Sequence, residues 1–345
     1  FTPDGRFVFF ASRDGWITKY DLYNLKTVAE VRAGINTRNA AVSGDGRYVM
    51  VANYLPHSLV LLDADLKLIK VIEARERNGR RTSRVSAVYD AAPRRSFVAA
   101  LKDIPEVWEI SYDPKAEPIA EGLVHDFRLR EGAFIPGQFN ARRSIVDEVL
   151  DDFFFTPDYR QVMASTREGG RGQVVHLDVR RRIASLDIPG MPHLGSGITW
   201  EYRGRQVMAT PNLRRGAVSV IDMKDWSVVR EIETAGPGFF MRSHEKTPYA
   251  WVDAMMSPGR DTLQVIDKRT LETVARLRPE PGRTLAHIEF TRDGRYALAS
   301  LSEMDGALIV FDAATFEVVK RIPMKKPIGK YNVHNKITRS DGTSH

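Results

Sequence analysis

"FTPDGRFVFFAS", residues 1–12, returns as "VSGDGRYVMVAN" at 42–53, "FTPDYRQVMAST" at 155–166 and "FTRDGRYALASL" at 290–301. A looser copy, "WEYRGRQVMATP", begins at Trp200. In the D-G-R turn the glycine takes a positive φ, and the alternating run behind it is a half-buried strand. After each copy an apolar strand ends in aspartate: "WITKYD", "LVLLD", "VWEISYD", "QVVHLD", "AVSVID", "LQVID" and "LIVFD". These aspartates are Asp21, Asp63, Asp113, Asp178, Asp222, Asp267 and Asp312; the last four lie 44, 45 and 45 residues apart. Each opens a second turn, "D-x-x-x-L/W/F", before a further strand. Four short antiparallel strands in every ~45 residues make a blade, and blades arranged about an axis make a β-propeller. Between Asp113 and Asp178 the spacing lengthens to 65, so an insertion is expected near 120–150. Its sequence, "HDFRLREGAFIPGQFNARRSIVDEVLDDFFF", is charged and irregular, and is expected to be the only non-β excursion.

Composition narrows the classes. With 43% hydrophobic and 28% charged residues, and no apolar run near the ~18 residues of a membrane span, the chain reads as a globular fold without a membrane span. Lys+Arg outnumber Asp+Glu by 51 to 44, a net charge of +7 that suits an anionic ligand. The basic residues are dispersed and RNA-type aromatic motifs are missing, so nucleic acid is not expected. With no cysteine, disulfides, thiolate catalysis, iron–sulfur clusters and C-x-x-C-H haem attachment are excluded within these residues, which accords with an oxidising compartment. The chain opens at Phe1 inside a repeat and reads as a fragment or mature piece.

Three of the eight histidines stand out: His193 in "PGMPHLGSG", His244 in "FFMRSHEKTPY" and His287 in "RTLAHIEFTRDG". All three are expected just before a blade's first strand, at one phase of successive repeats, where their rings would converge. Neutral imidazoles suit a metal or a haem iron. No H-x-H or H-E-x-x-H spacing supports a zinc enzyme. Arg13 in "ASRDGW", Arg38 in "GINTRNA" and Arg242 beside His244 occupy comparable loop positions; guanidinium forks there would bind carboxylates, or else be solvated surface groups.

The chain resembles the haem d1 domain of the cytochrome cd1 nitrite reductase family and its biosynthetic relatives. The matching stretches are "GINTRNA", "VANYLP", "MPHLGSG", "GPGFFMRSHEKTPY", "AHIEFTRDGRYALAS" and "GKYNVHNKITRSDGTSH", in that order along the whole chain. The resemblance implies an all-β, eight-bladed β-propeller over residues 1–345, its N-terminal blade incomplete, holding haem d1 on the axis. It also implies a c-type haem in an N-terminal cytochrome domain, and a proximal iron ligand, both before Phe1. His193 is then the distal ligand of the iron and the metal-binding residue. Arg13, Arg38, Tyr54 and Arg242 would hold the cofactor. Among members, the pattern resembles most the one that oxidises a propionate of dihydro-haem d1 to an acrylate, with His287 and Tyr331 at the propionate and His244 as a further pocket histidine. The alternatives are a nitrite reductase, which would use His193 and His244 as its pair, and a non-enzymatic haem d1 carrier or scaffold. The implied setting is the periplasm, with a tetrapyrrole ligand and with an electron-transfer cytochrome, a haem d1 biosynthesis protein or a nitrite reductase as protein partner.

Overall fold

The computed structural model describes residues 1–126, 131–166 and 172–339. Antiparallel meanders follow one another along it: three strands over 7–32, then four strands each over 36–73, 85–145, 152–186, 198–233, 241–277 and 285–323. The first sheet has the three strands expected of an incomplete blade. Two compact units divide the residues, Phe1–Thr166 with Val174–Ile183, and Arg167–Gln173 with Ala184–His345.

Within each unit neighbouring sheets pack face to face, so their middle strands are buried on both sides. Met50, Leu59 and Leu61 of the second sheet meet Phe97 and Trp108 of the third. In the second unit Trp251 and Val265 meet Ile288, Phe290 and Phe311 of the following sheet, with Trp251 and Phe311 5.5 Å apart between centroids. Burial falls off across each meander. In the last sheet the first strand, Leu285–Phe290, is wholly buried and the fourth, Val318–Pro323, wholly exposed.

The recurring turns have one chemistry. Thr2, Ser43, Thr156 and Thr291 each accept the backbone N–H five residues on through their hydroxyl, while the aspartate two residues on accepts the N–H of the next arginine. Arg6 reaches Asp21 at the end of the next strand and Arg160 reaches Asp178, and in the looser copy Arg205 reaches Asp222 in the same way. In "D-x-x-x-L/W/F" the aspartate accepts the next backbone N–H groups, and the large residue takes a left-handed conformation: Leu25, Trp226, Leu271 and Phe316 have φ of 52–67°. The ladder slips by one residue there, so the turn is a bulge as well as a reversal.

The insertion is not irregular. Ile119–Asp126 and Glu131–Ile135 pair as a two-stranded ribbon, and Ala141–Ile145 returns as the fourth strand of the third sheet. Residues 127–130 of the insertion lie outside the described residues. The one α-helix among the described residues is Val333–Thr338, and no helix among them is long and apolar enough to cross a membrane.

Candidate functional site

"PGMPHLGSG" enters the fifth sheet as a loop closed by one 3₁₀ turn, Leu194–Ser196, with His193 at its N-cap. Gly190 is needed: its φ is +86°, and a Cβ would stand 2.7 Å from the Asn212 side chain. That asparagine holds the loop, accepting from Met191 N and donating to Pro189 O. His193 Nδ1 lies 2.7 Å from the Phe239 carbonyl. A carbonyl only accepts, so Nδ1 carries the proton and the lone pair is on Nε2, the tautomer of a metal-ligating imidazole.

Phe239 belongs to "GPGFF", the loop entering the sixth sheet. Gly238 lets it pass close to the sheet, since a Cβ there would stand 2.2 Å from Asp253 O. From His193 a file of rings runs through this loop. Centroid separations are 4.2 Å from His193 to Phe239, 4.6 Å to Phe240, 4.5 Å to His287 and 5.0 Å to Tyr331.

His287 sits within the strand Leu285–Phe290 but out of its ladder. The register passes from Ala286 to Ile288, and His287 takes φ +50°. It is 0% exposed, and neither ring nitrogen has a hydrogen-bond partner among the described residues. Burial, with Lys330, Arg242 and Lys336 nearby, pushes its pKa down to about 2, so the ring is neutral. Its N–H donates to Asp253 Oδ2 (3.2 Å), and its carbonyl accepts from Lys330 Nζ. Asp253 Oδ1 accepts from Phe239 N (2.7 Å) and Phe240 N (3.3 Å).

Buried cations surround this centre. Arg242 donates through Nη1 to Met241 O, while its Nε has no partner; burial lowers its pKa. Burial brings Lys330 and Lys336 down to about 7. Glu289 Oε1 accepts from Phe290 N and Asn335 Nδ2, leaving Oε2 without a partner. Each orphaned buried polar atom costs roughly 1–3 kcal/mol. Arg242 Nε and the ring N–H of His287 are therefore donors that a ligand carrying carboxylates would satisfy.

The shared phase expected of the three histidines does not hold. His193 lies five residues before the strand Ile198–Tyr202, His287 lies inside its strand, and His244 lies one residue after Met241–Ser243. His244 occupies the turn slot of Thr2 and Thr291: its Nδ1 accepts from Lys246 N, its carbonyl from Thr247 N, and its ring faces Phe290 and the Gly294 turn. Among the described residues no hydrogen bond or ring contact joins His244 to His193 or His287. The repeat alignment misled because the entry loops differ in length.

Arg13, Arg38 and Tyr54 belong to the first unit. Arg13 is an exposed turn residue, its carbonyl accepting from Thr37 N. Arg38 donates through Nε to Ser86 O, and the Tyr54 ring lies 5.6 Å from the Arg84 guanidinium and 5.8 Å from Lys102 Nζ. The sequence reading missed Asp253, Phe239, Phe240, Lys330 and Lys336. A usable signal existed for the aspartate: the end of each sheet's second strand repeatedly carries Asn or Asp, as at Asn53, Asp103 and Asn212. The tail "SDGTSH" lies outside the described residues.

Successive four-stranded meanders, with a candidate site on their entry loops and first strands, define a β-propeller protein. The β-propeller domain of Myceliophteria thermophila Cps50 (Swd1) has the same fold at TM-score 0.52 and 15% identity, over 97% of this chain and 89% of that one. A family model described as the cytochrome D1 heme domain matches residues 1–127 and 135–336, and the chain belongs to that family. Dihydro-heme d1 dehydrogenase of Pseudomonas aeruginosa is 56% identical over 346 residues, covering 100% of this chain and 66% of that protein. The solved structure of dihydro-heme d1 dehydrogenase NirN in complex with DHE superposes with TM-score 0.89 at 56% identity, over 98% of this chain and 68% of that one. The chain thus spans about two thirds of the length of these relatives.

Proposed function

We propose that this chain is the haem d1-binding propeller of an oxidoreductase of haem d1 biosynthesis, and that its substrate is dihydro-haem d1. The observation that carries the reading is His287, a buried neutral imidazole with both nitrogens unpartnered, set between Phe240 and Tyr331 and beside Arg242 and Lys330. The P. aeruginosa relative at 56% identity is a dihydro-heme d1 dehydrogenase, which supports the same substrate class here. The residues suit a flat, carboxylate-bearing tetrapyrrole. His193 would offer Nε2 to the iron, while Arg242 would hold a carboxylate.

The proposed reaction converts one propionate to an acrylate: the two adjacent CH₂ groups lose two protons and two electrons, and a C=C bond forms. The oxidant would be a c-type haem, in an N-terminal cytochrome domain or in a partner cytochrome of the periplasm, which would take the two electrons one at a time. His287 accepts a proton and Tyr331 positions the carboxylate. Burial above all, and then the nearby cations, hold the imidazole at about 2 as a weak base; an incoming carboxylate offsets the share that is due to the cations, so its basicity rises as the substrate binds. His244, held in its turn, has no part in this scheme.

The expected result is that His287→Ala still binds dihydro-haem d1 but forms acrylate ~10²–10⁴-fold more slowly in single turnover, read by mass loss of two hydrogens. An undiminished rate overturns the role of His287. A wild-type protein that reduces nitrite and never desaturates the propionate overturns the reading itself.

A further inference from the structure

We infer that Asp253 is a positioning residue that sets His193 and His287 together, one through each carboxylate oxygen. The inference rests on the roles proposed above for those two histidines.

A polar side chain at the end of a sheet's second strand is a repeated device. It clamps the loop by which the chain enters that sheet. Asn53 donates to Ala33 O, Asp103 accepts from Arg84 N, Asn212 holds Met191 N and Pro189 O, and Glu303 accepts from Thr284 N. Asp253 does the same for "GPGFF", but two things set it apart. Its other oxygen reaches into the following sheet, to the N–H of His287. And it is a carboxylate only 1% exposed with no cation in hydrogen-bond contact, whereas Asp103 is paired with Arg84.

Clamping a loop does not require that charge, because asparagine serves at 53 and 212. A second N–H donor on the other oxygen does require it. An asparagine would turn an NH₂ toward either Phe239 or His287 and leave that N–H unmet. Burial of the carboxylate therefore marks a place where both oxygens must accept.

The two arms lead to the two histidines. On one side Asp253 fixes the Phe239 peptide by its N–H, and the carbonyl of the same residue accepts Nδ1–H of His193. This is an outer partner of a ligating histidine, acting through one residue to fix ring and tautomer. On the other side the bulge at His287 takes its N–H out of the ladder, and Asp253 Oδ2 accepts it. That contact holds the +50° backbone which sets the ring between Phe240 and Tyr331.

The test uses the full-length protein with Asp253→Asn and Asp253→Ala, labelled with ¹⁵N-histidine. In ligand-free wild type the His193 signal should report the Nδ1–H tautomer. Asp253→Ala should shift it toward Nε2–H and raise amide exchange at His287 about tenfold or more, while Asp253→Asn should raise exchange about as much at one of the His287 and Phe239 amides. Desaturation in single turnover should fall about 10–100-fold in Asp253→Asn, the usual effect of removing an outer partner. If Asp253→Ala does not fold, Asp253→Asn alone decides through the His287 and Phe239 amides together, both unchanged overturning the inference. Folded variants with unchanged His193 tautomer and His287 exchange overturn the inference. A wild type that desaturates nothing overturns the proposed reaction instead, and the tautomer and exchange measurements still decide what Asp253 does.

Discussion

At the scale of single residues, His244 shows how a side chain's type can mislead about its role. Its Nδ1 takes the backbone N–H of Lys246, two residues on, and its carbonyl accepts the N–H of Thr247 as the carbonyls of Thr2 and Thr291 accept those of Gly5 and Gly294 in the equivalent turns. A threonine should therefore fit. His244→Thr is expected to melt within a few degrees of wild type and to keep desaturation unchanged, whereas a loss like that of His287→Ala would return His244 to the site. Such distinctions were hidden in the sequence. "RSHEKT" and "LAHIEF" both present a histidine near a strand, and only the bulge at Ala286/Ile288 shows that one has left its ladder. His193 was easier to read, because glycines at 190, 195 and 197 with prolines at 189 and 192 mark a shaped loop.

Among the elements, the loop "GPGFF" brings the site together, and it was invisible beforehand. Its glycines and prolines announce a turn, but nothing in them says that Phe239 and Phe240 fill the space between two histidines 94 residues apart. The aspartate that anchors it gives a pH signature. Burial raises Asp253 to about 6, against the lowering effect of backbone N–H groups from Phe239, His287, Phe240 and Met255. The unfolded chain releases this proton near 3.8 and the folded one near 6, so the folded state holds more protons in between. Stability is therefore expected to fall as pH rises from about 4 to about 6, by roughly 3 kcal/mol for a shift of that size. Asp253→Asn should remove that slope in denaturant titrations across the range, and a slope that survives would assign it elsewhere. Gly238→Ala tests the same loop without charge. The new Cβ would meet the Asp253 carbonyl at 2.2 Å, backbone against backbone, so a loss of about 1–3 kcal/mol is expected in the same titrations.

For the molecule as a whole, the architecture was legible because it is written repeatedly: four of the turns use the same Thr/Ser, Asp and Arg, and an aspartate recurs at or just past the end of one strand in every sheet. Periodicity says which strands pair within a sheet. It carries no information on which loop meets the next sheet, and the site is made of such meetings. The last of them comes from the tail. Backbone-to-backbone hydrogen bonds from this tail to the last sheet stop, among the described residues, at Lys326, which bonds to Glu303 O. Beyond it the tail is fastened by side chains: Ser300 to Ile328 O, Lys330 to His287 O and Ser300, Asn332 and Asn335 to Phe290 O. Tyr331 rides on this segment and is 49% exposed. The placing of a carboxylate proposed for Tyr331 would therefore depend on a local ordering equilibrium of the tail, separate from global unfolding. Amides at 330–336 should exchange well before those at 285–290, and bound dihydro-haem d1 should slow the first group far more than the second. Every undocked molecule then lowers apparent affinity by its fraction of the population. A change that loosens the tail, such as Asn335→Ala, should weaken substrate capture while leaving the thermal midpoint of the propeller nearly where it was.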